Sequence, residues 1–110
     1  MQTTVLIIED NRDNYYLMQY LLENKGYKVL GADSGWLGLE MAIYNTPSII
    51  LLDIQLMSNP FLSGIPIVVV SSYAMTGNKE QALSAGATGY IEKPIDPLRF
   101  ADQIESYLKA

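Results

Sequence analysis

Three carboxylates follow two apolar runs: Val5-Leu6-Ile7-Ile8 leads into Glu9-Asp10, and Ile49-Ile50-Leu51-Leu52 leads into Asp53. Two further runs also end on polar groups, Ile67-Val68-Val69-Val70 on Ser71 and Tyr90-Ile91-Glu92 on Lys93. Short β-branched runs read as strands buried on both faces, and parallel strands bring their carboxyl ends to one edge of the sheet. The crevice outside that edge is where open α/β sheets bind ligands. Carboxylates gathered there raise one another's pKa and call for a cation or a proton. An all-oxygen set of this kind suits Mg²⁺. A carboxylate can also attack phosphorus and form an acyl phosphate. Phosphoryl transfer demands positioning and charge neutralisation, which a metal, a hydroxyl and an ammonium around Asp53 would supply.

Composition narrows the chemistry further. The chain has no cysteine and no histidine, which excludes disulfides, thiolate metal sites, Ser-His and Cys-His nucleophile pairs and histidine base catalysis. The net charge is -5, with only seven Lys and Arg, and these are scattered, against the clustered cations that a nucleic-acid surface needs. No apolar stretch approaches the roughly 20 residues of a membrane span, and no secretory segment opens the chain. A soluble, cytoplasmic protein without nucleic-acid or membrane partners is expected. The 110 residues fit one domain, residues 1–110, and 49% hydrophobic content is ample for its core.

The elements that must position these groups alternate along the chain. Strands are predicted at 5–8, 28–31, 49–52, 67–70 and 89–92. Asn14, Leu17, Met18, Leu21 and Leu22 have the spacing of an amphipathic helix that Gly26 stops. Ser34 is placed to cap a second helix through Ala42 to Tyr44, ended by Pro47. A third helix is expected over about 78–85 with Gly86 as its stop, and a last one from the Asp96-Pro97 cap, burying Phe100, Ile104 and Leu108. The alternation implies a parallel sheet with crossover helices. The connection over residues 54–65 does not fit, because Pro60, Ser63-Gly64 and Pro66 break any long helix there.

Taken singly, each polar residue has a structural explanation. Glu9-Asp10 suits a helix N-cap, Asp53 a turn, Ser71-Ser72 a cap, Lys93 a solvated strand end and Tyr90 a packing position. The ordered set is far more specific. Glu9-Asp10-Asn11, Leu52-Asp53, Val70-Ser71-Ser72-Tyr73-Ala74-Met75, Gly86-Ala87 and Tyr90-Ile91-Glu92-Lys93-Pro94 resemble the receiver domain of two-component response regulators, over nearly the whole chain. The resemblance implies a flavodoxin-like, CheY-like α/β fold with five parallel strands in the order 2-1-3-4-5. It implies that Asp53 accepts a phosphoryl group from a sensor histidine kinase or phosphotransfer protein. Glu9, Asp10, Asp53 and the Gln55 backbone carbonyl would hold Mg²⁺, and Lys93 would bind a phosphoryl oxygen. Ser71 and Tyr90 would form the switch that alters affinity for a downstream protein partner, and the Lys93-Pro94 peptide would be cis. The expected role is signalling and not catalysis on a separate substrate, with no output domain after Ala110.

The chain departs from the family after Asp53-Ile54-Gln55-Leu56, where roughly a dozen residues around the third helix are missing from the pattern. A lost helix would bare one face of the central strands, at about 25 cal/mol per Å² of apolar surface. Inward shifts of neighbouring helices, or a homodimer through the uncovered face, would compensate. A receiver that no longer signals and serves as a structural or domain-swapped oligomerising module is the alternative. An Asp-nucleophile phosphatase would need a second Asp where Gln55 stands. Trp36, Leu37 and Met41 widen the apolar face of the second helix beyond one stripe, through core packing or a partner surface.

Overall fold

The computed structural model describes residues 2–53, 65–71 and 78–109; Gln55 and the rest of 54–64, with Ser72 and the residues after it to 77, lie outside the described residues. Five strands, β1 (Thr4–Ile8), β2 (Lys28–Ala32), β3 (Ile49–Asp53), β4 (Ile67–Ser71) and β5 (Gly89–Glu92), form one sheet in the order β2-β1-β3-β4-β5. All four pairings are parallel. Four helices accompany them among the described residues: α1 (Arg12–Asn24), α2 (Gly35–Asn45), α3 (Asn78–Ser84) and α4 (Phe100–Lys109). This is the flavodoxin-like fold expected from the sequence; the expected loss or shortening of the third crossover helix falls on residues 54–64, outside the described residues.

Alternation along each strand divides the core between two faces. Val5, Ile7, Ile49, Leu51, Val68, Val70 and Ile91 point to one side, where Met18 and Leu22 of α1 and Phe100 and Ile104 of α4 close over them. On the other side Leu6, Ile8, Ile50, Leu52 and Ile67 pack with Ala42 of α2, while Val69 packs with Ala82 of α3 and Ala87. Each Val, Leu, Ile, Met or Phe among them contributes about 1.5–3 kcal/mol by leaving water. Gly26 and Gly86 stop α1 and α3 with φ of 97° and 110°, the left-handed region where glycine pays no Cβ penalty.

Three expectations are corrected. The face of β3 and β4 thought to be bared is covered within one chain, since Ile50, Leu52, Ile67 and Val69 are 3, 6, 4 and 0% exposed. The sheet therefore has no need of a second chain there. Leu17, placed on the buried stripe of α1, is instead 38% exposed. The helix is turned toward Tyr15, whose ring lies over Gly31 so closely that a Cβ at that position would overlap it. Finally, α4 begins at Phe100 and not at Asp96-Pro97. Asp96 does cap this segment, Oδ1 accepting from the Leu98 amide at 3.0 Å and the carbonyl from the Arg99 and Phe100 amides, but residues 97–99 form a turn ahead of the regular helix.

Among the described residues no helix is long and apolar enough to cross a membrane. Gly31→Ala should cost about 1–3 kcal/mol by forcing the Tyr15 ring off the strand. In a Tyr15→Leu background the same change should cost less, and urea unfolding of the four proteins measures the coupling.

Candidate functional site

Strand register assembles the polar groups. Ile8 pairs with Leu52, Asp53 with Val70 and Ser71 with Glu92, so Glu9, Asp53, Ser71 and Lys93 all fall within one residue of their strand ends at the same edge. Glu9 extends the ladder past β1, its amide donating to the Ala32 carbonyl at 2.9 Å. The Lys93 amide similarly donates to the Ser71 carbonyl at 2.7 Å, fixing the residue just beyond β5. The Lys93-Pro94 peptide is cis, as the family pattern implied.

Glu9, Asp10 and Asp53 each present a carboxylate oxygen, and these oxygens lie within 4.8 Å of one another. Glu9 and Asp53 are buried, at 4 and 7% exposure, while Asp10 faces solvent. The Lys93 ammonium bridges the buried pair, donating to Glu9 Oε1 and, at 3.0 Å, to Asp53 Oδ2. Its side chain is 8% exposed. Ser71 is fully buried, and Tyr90 is half-buried against the Val69, Ala82 and Ala87 cluster.

Burial pushes the Glu9 carboxyl above its ordinary 4.5, outweighing the lowering by Lys93 and by the Asn11 amide. Burial lowers the Lys93 amine, but its hydrogen bonds and charge pairing with Glu9 and Asp53 leave it above the ordinary 10.5. Each group thus holds its proton more tightly folded than unfolded. The stabilisation so gained is lost as pH rises, from just above 4.5 for Glu9 and from above 10.5 for Lys93.

With Glu9, Asp10 and Asp53 ionised and Lys93 protonated, the cluster carries two uncompensated negative charges. A divalent cation matches both that charge and the oxygen-only donor set. Asn11, present in the sequence motif but given no role by it, contributes in two ways. Its amide donates to Glu9 Oε2 at 3.2 Å, and its side chain caps α1 by accepting from the Asn14 amide at 2.9 Å. The cap of α1 is therefore Asn11 and not the acidic pair; an Asn directly before a helical pattern is the signal that identifies it. Beside the cluster, an open cleft runs between α1 and α2, lined among others by Asp10, Arg12, Tyr16, Asp33 and Leu37. None of Arg12, Asp33 or Tyr16 was singled out by the sequence pattern.

No family model matches the chain. Over 98% of its length, however, it is 37% identical to the polar-differentiation response regulator DivK of Brucella ovis, of which 98% is covered. The chain belongs to the CheY-like receiver family of response regulators. Among solved structures, a CheY-like response regulator receiver domain protein from Methanospirillum hungatei gives a TM-score of 0.88 at 26% identity, over 99% of this chain and 95% of that one. A response regulator protein from Burkholderia multivorans gives 0.75 at 30% identity, over 96 and 94%. The DivK alignment runs over 123 positions and this receiver has 110 residues, so at least 13 aligned positions face no residue of it. That is the size of the shortfall the sequence pattern places after Gln55.

Removing the receiver's bridging ammonium should expose the repulsion that it masks. Lys93→Met, unfolded in urea with chelator present, should be less stable than wild type by about 3–5 kcal/mol, the usual cost of orphaning a buried charge. Unchanged stability would mean that Lys93 does not hold the cluster together.

Proposed function

We propose that this receiver is a phosphorylation-dependent signalling switch in which Asp53 is the phosphoacceptor, and that it does not act as an enzyme on a separate substrate. The observation that carries this reading is the contact between the Lys93 ammonium and Asp53 Oδ2 at 3.0 Å, with Glu9 and Asp10 oxygens alongside. In the proposed reaction an Asp53 carboxylate oxygen attacks the phosphorus of a phosphohistidine on a histidine kinase or phosphotransfer protein. The new O–P bond replaces the N–P bond, and the imidazole leaves as a neutral ring after taking up a proton. Lys93 and the Ser71 hydroxyl receive the phosphoryl oxygens. Mg²⁺, held by Glu9, Asp10, Asp53 and the Gln55 carbonyl, would neutralise the charge that accumulates on those oxygens. Tyr90, packed on the Val69 and Ala82 cluster, relays the change to the surface that a downstream partner reads. The setting is the cytoplasm, where such kinases present their phosphohistidine.

The structural-module alternative is not favoured. It draws on an uncovered sheet and a damaged site, whereas β3 and β4 are buried along their length and the carboxylates and Lys93 are assembled. Incubation with acetyl phosphate and Mg²⁺ should add one phosphoryl mass increment to the intact chain. Asp53→Ala should abolish it, and an unmodified wild-type protein under these conditions would refute the phosphoacceptor role.

Cation binding should follow the Glu9 carboxylate. Because burial raises that group, Mg²⁺ affinity should begin to fall at a pH distinctly above 4.5 as the solution is acidified. Calorimetric titration of Mg²⁺ across this range measures the midpoint, and a midpoint at or below the ordinary carboxylate value would contradict the assignment.

A further inference from the structure

The second helix is apolar on the side that should face water. Gly38 and Ala42 are buried against the sheet, yet Trp36, Leu37, Ile43 and Tyr44 are 71, 39, 59 and 85% exposed. Glu40, the only charged residue in its sequence GWLGLEMAIYN, sits among them, about 200° around the helix from Gly38 at 100° per residue. A helix apolar all round is ordinarily a buried one. Its burial is incomplete in the single chain.

We propose that the outward face of α2 is a self-association surface, packed antiparallel against α2 of a second copy of this chain. Two observations favour a second copy. The first is symmetry: Leu37 and Ile43 lie three residues on either side of Glu40, and Trp36 and Tyr44 lie four. An antiparallel pair with its two-fold axis at Glu40 sets Trp36 against Tyr44 of the second copy and Leu37 against Ile43. The same surface then serves both partners, which is the requirement of an isologous interface. The second is area. With aromatic side chains worth ~150–250 Å² each, the exposed fractions of these four residues amount to roughly 500 Å² of apolar surface. A standard interface takes about 800 Å² per partner, of which about 65% is apolar in homodimers, or roughly 520 Å². Tyr16 of α1, 57% exposed and sharing a cleft with Leu37, extends the patch at its rim.

Glu40 meets its own copy at the axis, where two like charges oppose each other and keep the association reversible. This surface is distinct from the sheet face discussed above and does not rest on the phosphoacceptor reading.

Sedimentation equilibrium of the full chain, with the emission of Trp36, its sole tryptophan, followed over the same concentrations, tests the proposal. Dimer formation should shift the Trp36 emission to the blue. Tyr44→Lys should weaken the dimer at least about tenfold, because symmetry removes the aromatic contact with Trp36 twice. Glu40→Gln should tighten it by about threefold through loss of the like-charge pair. Leu98→Lys, 90% exposed in the turn before α4, should leave it unchanged. All three substituted residues are on the surface, so a native far-UV spectrum is expected for each variant. The proposal is overturned by a wild type and a Glu40→Gln variant that both stay monomeric at every concentration. It is overturned equally by a dimer that ignores Tyr44→Lys, by one that responds to Leu98→Lys, or by one that leaves the Trp36 emission unmoved.

Discussion

One ammonium bridges two buried carboxylates. Lys93 bridges Glu9 and Asp53, both nearly removed from water, and Asp10 stands at the rim within reach of the same point. Desolvated like charges are tolerated only where an opposite charge is fixed among them. The structure around them can be read as the means of fixing it. Parallel pairing carries the ends of β1, β3, β4 and β5 to one edge, and the Lys93 amide is tied to the Ser71 carbonyl so that the ammonium starts from a fixed point. The compensation is incomplete by two charges, and that deficit gives the cluster its chemistry. A site neutralised entirely by its own side chains would have no electrostatic reason to attract a divalent cation.

The same edge depends on packing far from any charge. Because β1, β3 and β4 are apolar along their length, the sheet must be covered on both faces, by α1 and α4 on one side and by α2 and α3 on the other. Small residues set how closely those helices approach. Ala42 and Gly38 bring α2 down onto β1, and Gly31 leaves room for the Tyr15 ring. At the other end of α1, Lys25 pairs with Asp102 at 3.0 Å and joins that helix to α4 across the covered face. An exposed pair of this kind adds little stability.

Much of this was legible in the sequence, and the failures have physical causes. β1, β3 and β4, buried on both faces, appear as uninterrupted apolar runs, and all five strands were placed to within a residue. Their order came from the family resemblance that the strand-end residues carried. The carboxylates, Ser71 and Lys93 could be grouped because parallel strands leave only one edge for them. Periodicity cannot determine which of two adjacent stripes a helix buries, so Leu17 was assigned inward where Tyr15 goes, a choice made by the missing side chain of a residue on another element. Nor could it show that the segment capped by Asp96 would run through a turn over residues 97–99 before the regular helix begins at Phe100. The cover over β3 and β4 is a tertiary property with no local signature. Asn11 escaped notice because its contact to Glu9 is made by the backbone, which every residue except proline possesses.

That backbone contact reaches beyond the carboxylate it touches. Asn11 is at once the cap of α1 and the donor to Glu9, so the start of the helix and the direction of a buried ligand oxygen are set by one peptide unit. The conformational entropy of that carboxylate is lost when the chain folds and not when a cation arrives. A cation bound at this edge would meet a preorganised carboxylate, and the cost of ordering it would not fall on the binding step.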